Sequence, residues 1–283
     1  MTIVVVGSTG QLARHLKDRL PTAVFLSRAD ADLADASALT GAVRAADPSV
    51  IINAAAHTAV DRAESEAELA WRINAEAPAA LARLARERDI PLVHVSTDYV
   101  FDGSKQGEYV ETDPVGPRSV YGATKLGGEL ALSAIHPRHW ILRTSWVFSE
   151  FGTNFVKTMV RLAKERDELR VVADQRGRPT YAGDLADAIA ALLREPSAVP
   201  FGILHATGGP AVSWHEFATD IIGRACKRGL ISKLPVIHAI PAAAYPTPAK
   251  RPLNSVLSPS AALARIARFD WSAGLDRTLG NLG

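Results

Sequence analysis

Five short runs in the first half of the chain, at 3–6, 23–26, 50–53, 92–95 and 140–144, are apolar almost throughout and do not alternate with polar residues. Strands of that kind are covered on both faces, and helical stretches at 11–20, 38–46, 66–88 and around Tyr121 and Lys125 separate them. The arrangement that satisfies both observations is a parallel sheet built from right-handed β-α-β crossovers. The expected fold is therefore α/β, a Rossmann-type doubly wound parallel sheet. After Val147 the pattern turns irregular: a helix at 154–166, a strand at 169–172, a turn-rich stretch at 175–180, further elements at 184–194, 203–206 and 214–225, then a proline-rich loop at 245–252. A length of 283 residues with 47% apolar content supports one large domain, or a large domain with a smaller lobe. No linker and no repeat divides it.

Charge narrows the function classes. The formal net charge is +2, from 32 basic and 30 acidic residues that are interleaved along the chain. That leaves no basic face for nucleic acid and no polybasic patch for a membrane. The single cysteine, Cys226, excludes a disulfide framework and a thiolate metal site, and its helical setting suggests a buried, inert thiol. The N-terminal residues read as a first strand rather than a secretory signal, and no apolar run approaches the ~20 residues needed to span a bilayer. A cytoplasmic location is expected.

Gly7, Ser8, Thr9 and Gly10 follow the first strand directly and open the first helix at Gln11. Gly7 permits a tight turn, Gly10 permits close backbone approach to a pyrophosphate, and the helix N-terminus supplies amide donors. Ala13 is small enough for close helix-strand contact. The spacing is not G-x-G-x-x-G, so a tight turn without a ligand remains the competing reading. At the end of the second strand, Arg28 would accommodate the 2′-phosphate of NADPH, whereas an acid such as Asp32 would bind a ribose diol and select NADH. Arg28 comes first after the strand and favours NADPH, with NADH possible; a solvated turn cation is the alternative for it. Asn53 to His57 closes the third strand with small residues at a topological switch point, where a flat cofactor needs room. His57 reads as a structural histidine rather than a catalytic one, and nothing spaces it with metal ligands.

Tyr121 and Lys125 form a Y-x-x-x-K pair on one helical face, about two dozen positions after Thr97. Carbonyl reduction by hydride needs a proton donor at oxygen, and a tyrosine with a pKa of about 10 is poorly matched to neutral pH. An ammonium beneath the phenol would lower that value; three units correspond to roughly 4 kcal/mol. The hydroxyl of Thr97 could converge on the same point.

These pieces resemble the extended short-chain dehydrogenase/reductase family and, within it, the dTDP-4-dehydrorhamnose reductases. The likeness runs nearly end to end and is most specific at 53–64, 95–103 and 120–129, with further similar segments at 143–147, 154–159 and 244–255. It implies an enzyme in which Tyr121 is the general acid, Lys125 holds the nicotinamide ribose and depresses the phenol, and Thr97 bonds the C4 carbonyl of a dTDP-linked sugar. It places Gly10, Gln11 and Leu12 at the cofactor, with Asp32, Leu33, Ala55, Ala56 and His57 nearby. It assigns Thr97, Asp98 and Trp146 to the nucleotide-sugar substrate, and Arg251 is the basic candidate for its pyrophosphate. Core packing for Trp146, and a solvated loop cation for Arg251, are the competing readings. By this resemblance, residues 1–147 are mainly the NAD(P)-binding domain with the catalytic pair. Residues 148–283 are mainly the substrate-binding lobe, of which 184–206 could return to the main sheet. Some members of the family dimerise around a magnesium ion held by carboxylates. The matching positions here are His15, Asp184 and Asn281, too few oxygen ligands for a hard cation. No structural metal is expected, and a monomer or weak homodimer is. Reduction of another 4-keto nucleotide sugar, or a non-catalytic NAD(P)-binding regulatory subunit, are the alternatives to the main reading.

Overall fold

A computed structural model describes residues 2–282. Six parallel strands form the central sheet: β1 (Ile3–Val6), β2 (Val24–Leu26), β3 (Val50–Asn53), β4 (Leu92–Thr97), β5 (His139–Thr144) and β10 (Gly202–His205). Their spatial order is β10-β5-β4-β3-β1-β2, so the direction of winding reverses between β1 and β3. Both faces are buried, as the unalternating strand sequences require. Val4 and Val6 point into a cluster with Leu39, Leu81 and Ile141, while Val5 points the other way to Leu16, Ile52, Trp140 and Ile189.

The helices that cover the sheet start where their caps dictate. Asp35 accepts from the amides of Ser37 and Ala38 to begin α2 (Ala36–Ala45), and Ser119 accepts from the Gly122 amide to begin α6 (Val120–Ile135). Helix α1 (Gln11–Arg19) starts at Gly10 with no side-chain cap. The stretch 66–88, expected as one helix, is α4 (Ala67–Trp71) and α5 (Ala77–Glu87) joined by a π-helical turn over Arg72–Glu76. The wider turn sets Asn74 facing inward, where its amide accepts from the His57 backbone N–H at 2.8 Å and donates to the Thr124 hydroxyl at 3.1 Å.

Beyond Thr144 a second core gathers Phe148, Met159, Phe217, Ile221 and Trp271. It is built from α7 (Phe155–Glu165), α9 (Trp214–Lys227) and α11 (Trp271–Gly280), with β7 (Glu168–Val172) paired in parallel to β12 (Val236–Ile240). Strand β12 and helix α11 were not anticipated. Helix α8 (Ala182–Arg194) packs on α1 and β10 pairs with β5, so 182–205 is part of the main sheet layer. Cys226 is half-buried against the second core, less enclosed than expected.

Candidate active site

A cleft of about 700 Å³ opens at the carboxyl ends of β1, β3, β4 and β5, across the β1/β3 switch point. Gly7 turns at its head with φ +107°, and a Cβ there would meet the Ala55 side chain at 3.1 Å. At Gly10 a Cβ would meet no protein atom within 4 Å, so the free space there faces the cleft. The first turn of α1 holds no acidic residue, which leaves its amides and dipole available to an anion. These features fit a dinucleotide pyrophosphate. Gln11 fixes the position of this helix end: its Oε1 accepts from Asn154 at 2.9 Å and from Ser149 at 3.2 Å. Leu12, Leu33, Ala55 and Ala56 line the same channel.

At its far end the Arg28 side chain is 78% exposed and only 3.5 Å from Asp32. The carboxylate of Asp30 is already occupied, accepting from the Ser27 amide and hydroxyl at 2.8 and 2.6 Å. Arg28 is thus a solvent-exposed cation in the lining at this end of the cleft. His57 is the one expected cofactor residue outside the lining. Its ring Nε2 lies 2.9 Å from Glu66, a residue that does not line the cleft either.

The reactive end is assembled from β4 and α6. Thr97 closes β4 and caps the short 3-10 turn Asp98–Val100, accepting from the Tyr99 amide at 3.2 Å and donating to Asp98 Oδ1 at 3.0 Å. Asp98 is 2% exposed, its Oδ2 has no partner, and burial raises its pKa to about 6. Tyr121 stands in the first turn of α6, its ring edge-on to Tyr99 at 5.6 Å. Burial raises the pKa of both phenols, that of Tyr99 to about 12, and the Thr97 side chain opposes the rise at Tyr121. This corrects the expectation of a phenol depressed by a lysine beneath it. The Lys125 ammonium is drawn instead to the Val95 carbonyl at 2.7 Å and to His94 Nε2 at 3.2 Å. Burial lowers the pKa of Lys125 to about 8, with Glu129 acting against it. One turn further along α6, Glu129 is held by Arg143 at 2.7 Å in a fully buried ion pair.

The opposite wall is aromatic. Trp146, with φ +49°, stacks on Trp214 with ring centroids 3.4 Å apart and planes 8° from parallel. Arg251 reaches over the cleft from the proline-rich loop, donating to Asp61 at 2.8 Å and lying 3.4 Å from the Tyr99 hydroxyl. Tyr99, Trp214 and Asp61 were not singled out from the sequence. Tyr99 lies inside the 95–103 segment and Asp61 inside 53–64, so both could have been; nothing marks Trp214 until distant segments are brought together.

Among the described residues no group of three His, Cys, Asp or Glu side chains is arranged to hold a metal. His15 is buried 3.5 Å from Glu150, Asp184 accepts from the Asp270 amide with Arg277 at 3.8 Å, and Asn281 donates to Glu150 at 3.3 Å.

The whole chain, 1–283, matches the family described as RmlD substrate binding domain. It is 44% identical over 263 residues to the dTDP-4-dehydrorhamnose reductase of Aggregatibacter actinomycetemcomitans, covering 90% of each chain. Among solved structures it is similar to a dTDP-4-dehydrorhamnose reductase from Clostridium acetobutylicum, with TM-score 0.91, 36% identity, and 100% and 99% of the two chains covered. It is also similar to the Bacillus anthracis enzyme of that name in complex with NADP, with TM-score 0.89, 34% identity and 98% of each chain covered.

Proposed function

Because this chain belongs to the RmlD substrate binding domain family, we propose that it uses NADPH to reduce the C4 carbonyl of dTDP-4-dehydro-6-deoxy-L-mannose, giving dTDP-L-rhamnose. The observation that carries this reading is the convergence of Thr97, Tyr121 and Lys125 with an uncapped helix N-terminus in one cleft. When bound, NADPH would supply the hydride for C4; Gly7, Gly10 and Leu12 would shape its channel, Arg28 would meet its 2′-phosphate, and Lys125 would anchor the nicotinamide ribose. As charge develops on the carbonyl oxygen, Tyr121 gives it a proton while Thr97 donates a hydrogen bond. Trp146 offers its face to the deoxysugar and Arg251 binds the substrate pyrophosphate. His57 supports the cleft wall without taking part.

The labour is divided between residues 1–147, which handle cofactor and proton, and 148–283, which mainly handle substrate. The protein acts in the cytoplasm, as a monomer or weak homodimer without a structural metal. The deciding experiment supplies the 4-keto-L-sugar nucleotide with NADPH or NADH separately and identifies the product by NMR. dTDP-L-rhamnose formed faster with NADPH supports the reading. dTDP-6-deoxy-L-talose as sole product would assign a different 4-keto reduction, and NADPH binding without turnover of any 4-keto sugar would indicate a regulatory subunit.

A further inference from the structure

Under the cleft floor runs a buried polar chain of which the reaction uses only the last member: Asn53 from β3, His94 from β4 and Lys125 from α6, each 2% exposed or less. Lys125 Nζ lies 3.2 Å from His94 Nε2, and the side-chain amide of Asn53 lies 3.1 Å from His94 Nδ1. A polar ring inside an apolar sheet is costly unless its nitrogens are paired. An ammonium has three donors and no acceptor, whereas a neutral imidazole has one of each. Burial and the neighbouring lysine keep His94 neutral. An ammonium can only donate, so Nε2 accepts from Lys125 and Nδ1 keeps the proton; Asn53 then turns its amide oxygen to Nδ1 by a half-turn, giving up the 3.3 Å bond which that oxygen otherwise accepts from the Ala55 amide. The Val95 carbonyl takes a second ammonium proton at 2.7 Å.

We infer that His94 is the positioning residue for Lys125: with Val95 it engages two of the three ammonium protons and so leaves a single N–H for the cofactor ribose. This rests on the reading of Lys125 as ribose anchor. The charged and titratable groups facing the pair are few. Glu129 on α6 and His139 on β5 act on Lys125 and His94 respectively, and Asn53 on β3 is uncharged. Glu129 is committed to Arg143 at 2.7 Å, so His94 is the side chain that meets the ammonium directly.

Two substitutions and one spectrum test it. His94→Phe keeps a ring and loses the acceptor; kcat/KM should fall about tenfold, the scale of a hydrogen bond to a charged group. Without that acceptor the ammonium is less stable, so the alkaline limb of the kcat/KM profile should move down by about one pH unit. His94→Gln offers an amide oxygen in the same direction and should stay within about threefold of the parent, with the limb unmoved. A purely structural histidine would lower Tm in both variants and leave the limb in place, which would overturn the proposal. Should His94→Phe fail to fold, 15N NMR of the unaltered protein decides: a proton on Nδ1 upholds the arrangement and a proton on Nε2 refutes it. Wild-type turnover in Lys125→Met would instead bring down the reading of Lys125, whatever His94 does.

Discussion

Two neighbouring side chains carry opposite consequences of the same burial. Tyr121 is pushed well above its ordinary value, so its phenol is protonated throughout the working pH range and is ready as a donor. The group that loses its proton first is Lys125, at about 8. The alkaline limb of kcat/KM should therefore fall near pH 8, and Tyr121→Phe should lower turnover by at least about a hundredfold while preserving most NADPH affinity. Fluorescence titration alongside initial rates separates the two effects, and comparable turnover in the variant would rule out Tyr121 as donor. Asp98 shows the cost of the site to the fold. Its pKa rises from the ordinary 3.8 to about 6, so the folded state holds a proton that the unfolded state has released across that interval. Stability contributed at this position thus declines as pH rises from about 4 to 6, and the full penalty, on the order of 2 to 3 kcal/mol, applies above it. Asp98→Asn should raise Tm at pH 8 and leave it nearly unchanged at pH 4, which thermal unfolding at both values would reveal. The Y-x-x-x-K spacing showed that Tyr121 and Lys125 share a face. It could not show that the ammonium turns toward His94, because that depends on a strand some 30 residues upstream.

At the level of elements, α6 is placed by its lack of side chains as much as by its residues. A Cβ on Gly128 would collide with the Asn74 carbonyl oxygen in the π-helical turn, and one on Gly122 with the Tyr99 carbonyl. The helix lies this close because both positions are bare, and that proximity sets Tyr121 beside Thr97. Gly41, an exposed residue in α2, meets nothing within 4 Å. Gly128→Ala should cost about 1 to 3 kcal/mol through overpacking, whereas Gly41→Ala should add about 0.5 to 1 kcal/mol through helix propensity. Urea unfolding of the pair would test this, and equal effects would show that the α6 contact is not tight. The five first-half strands were legible because burial on both faces makes their sequences apolar throughout. The π-turn was not, since a single widened turn leaves the helical pattern of 66–88 intact. Strand β12 escaped because only Ile240 in it is buried, and α11 because Gly274 and Thr278 weaken its helical signature. Trp214 opens the helical pattern at 214–225, and such a pattern does not say which wall its first residue joins.

On the scale of the molecule, residues 1–147 and 148–283 build one sheet and its covering layer together. Helix α8 lies more than 180 residues along the chain, yet Leu185, Ile189 and Leu192 cover the sheet face formed by Val5, Ile52 and Trp140. Strand β10 pairs with β5 from Trp140 to Arg143 and protects what would otherwise be an exposed edge. The Arg251 to Asp61 ion pair at 2.8 Å ties the proline-rich loop back across the cleft, although at 27% and 39% side-chain exposure it adds little stability. What makes the sheet half depend on the rest is therefore apolar cover, not charge. Removing residues 148–283 would strip one sheet face and bare β5 along its length, leaving inward residues such as Val5 and Ile52 without most of their cover. A fragment of residues 1–147 should consequently show no cooperative thermal transition and bind no NADPH, while the full chain unfolds in one step. Differential scanning calorimetry of both would decide. A sharp transition in the fragment, with cofactor bound, would mean that the first half is a complete domain and that α8 and β10 are dispensable to it.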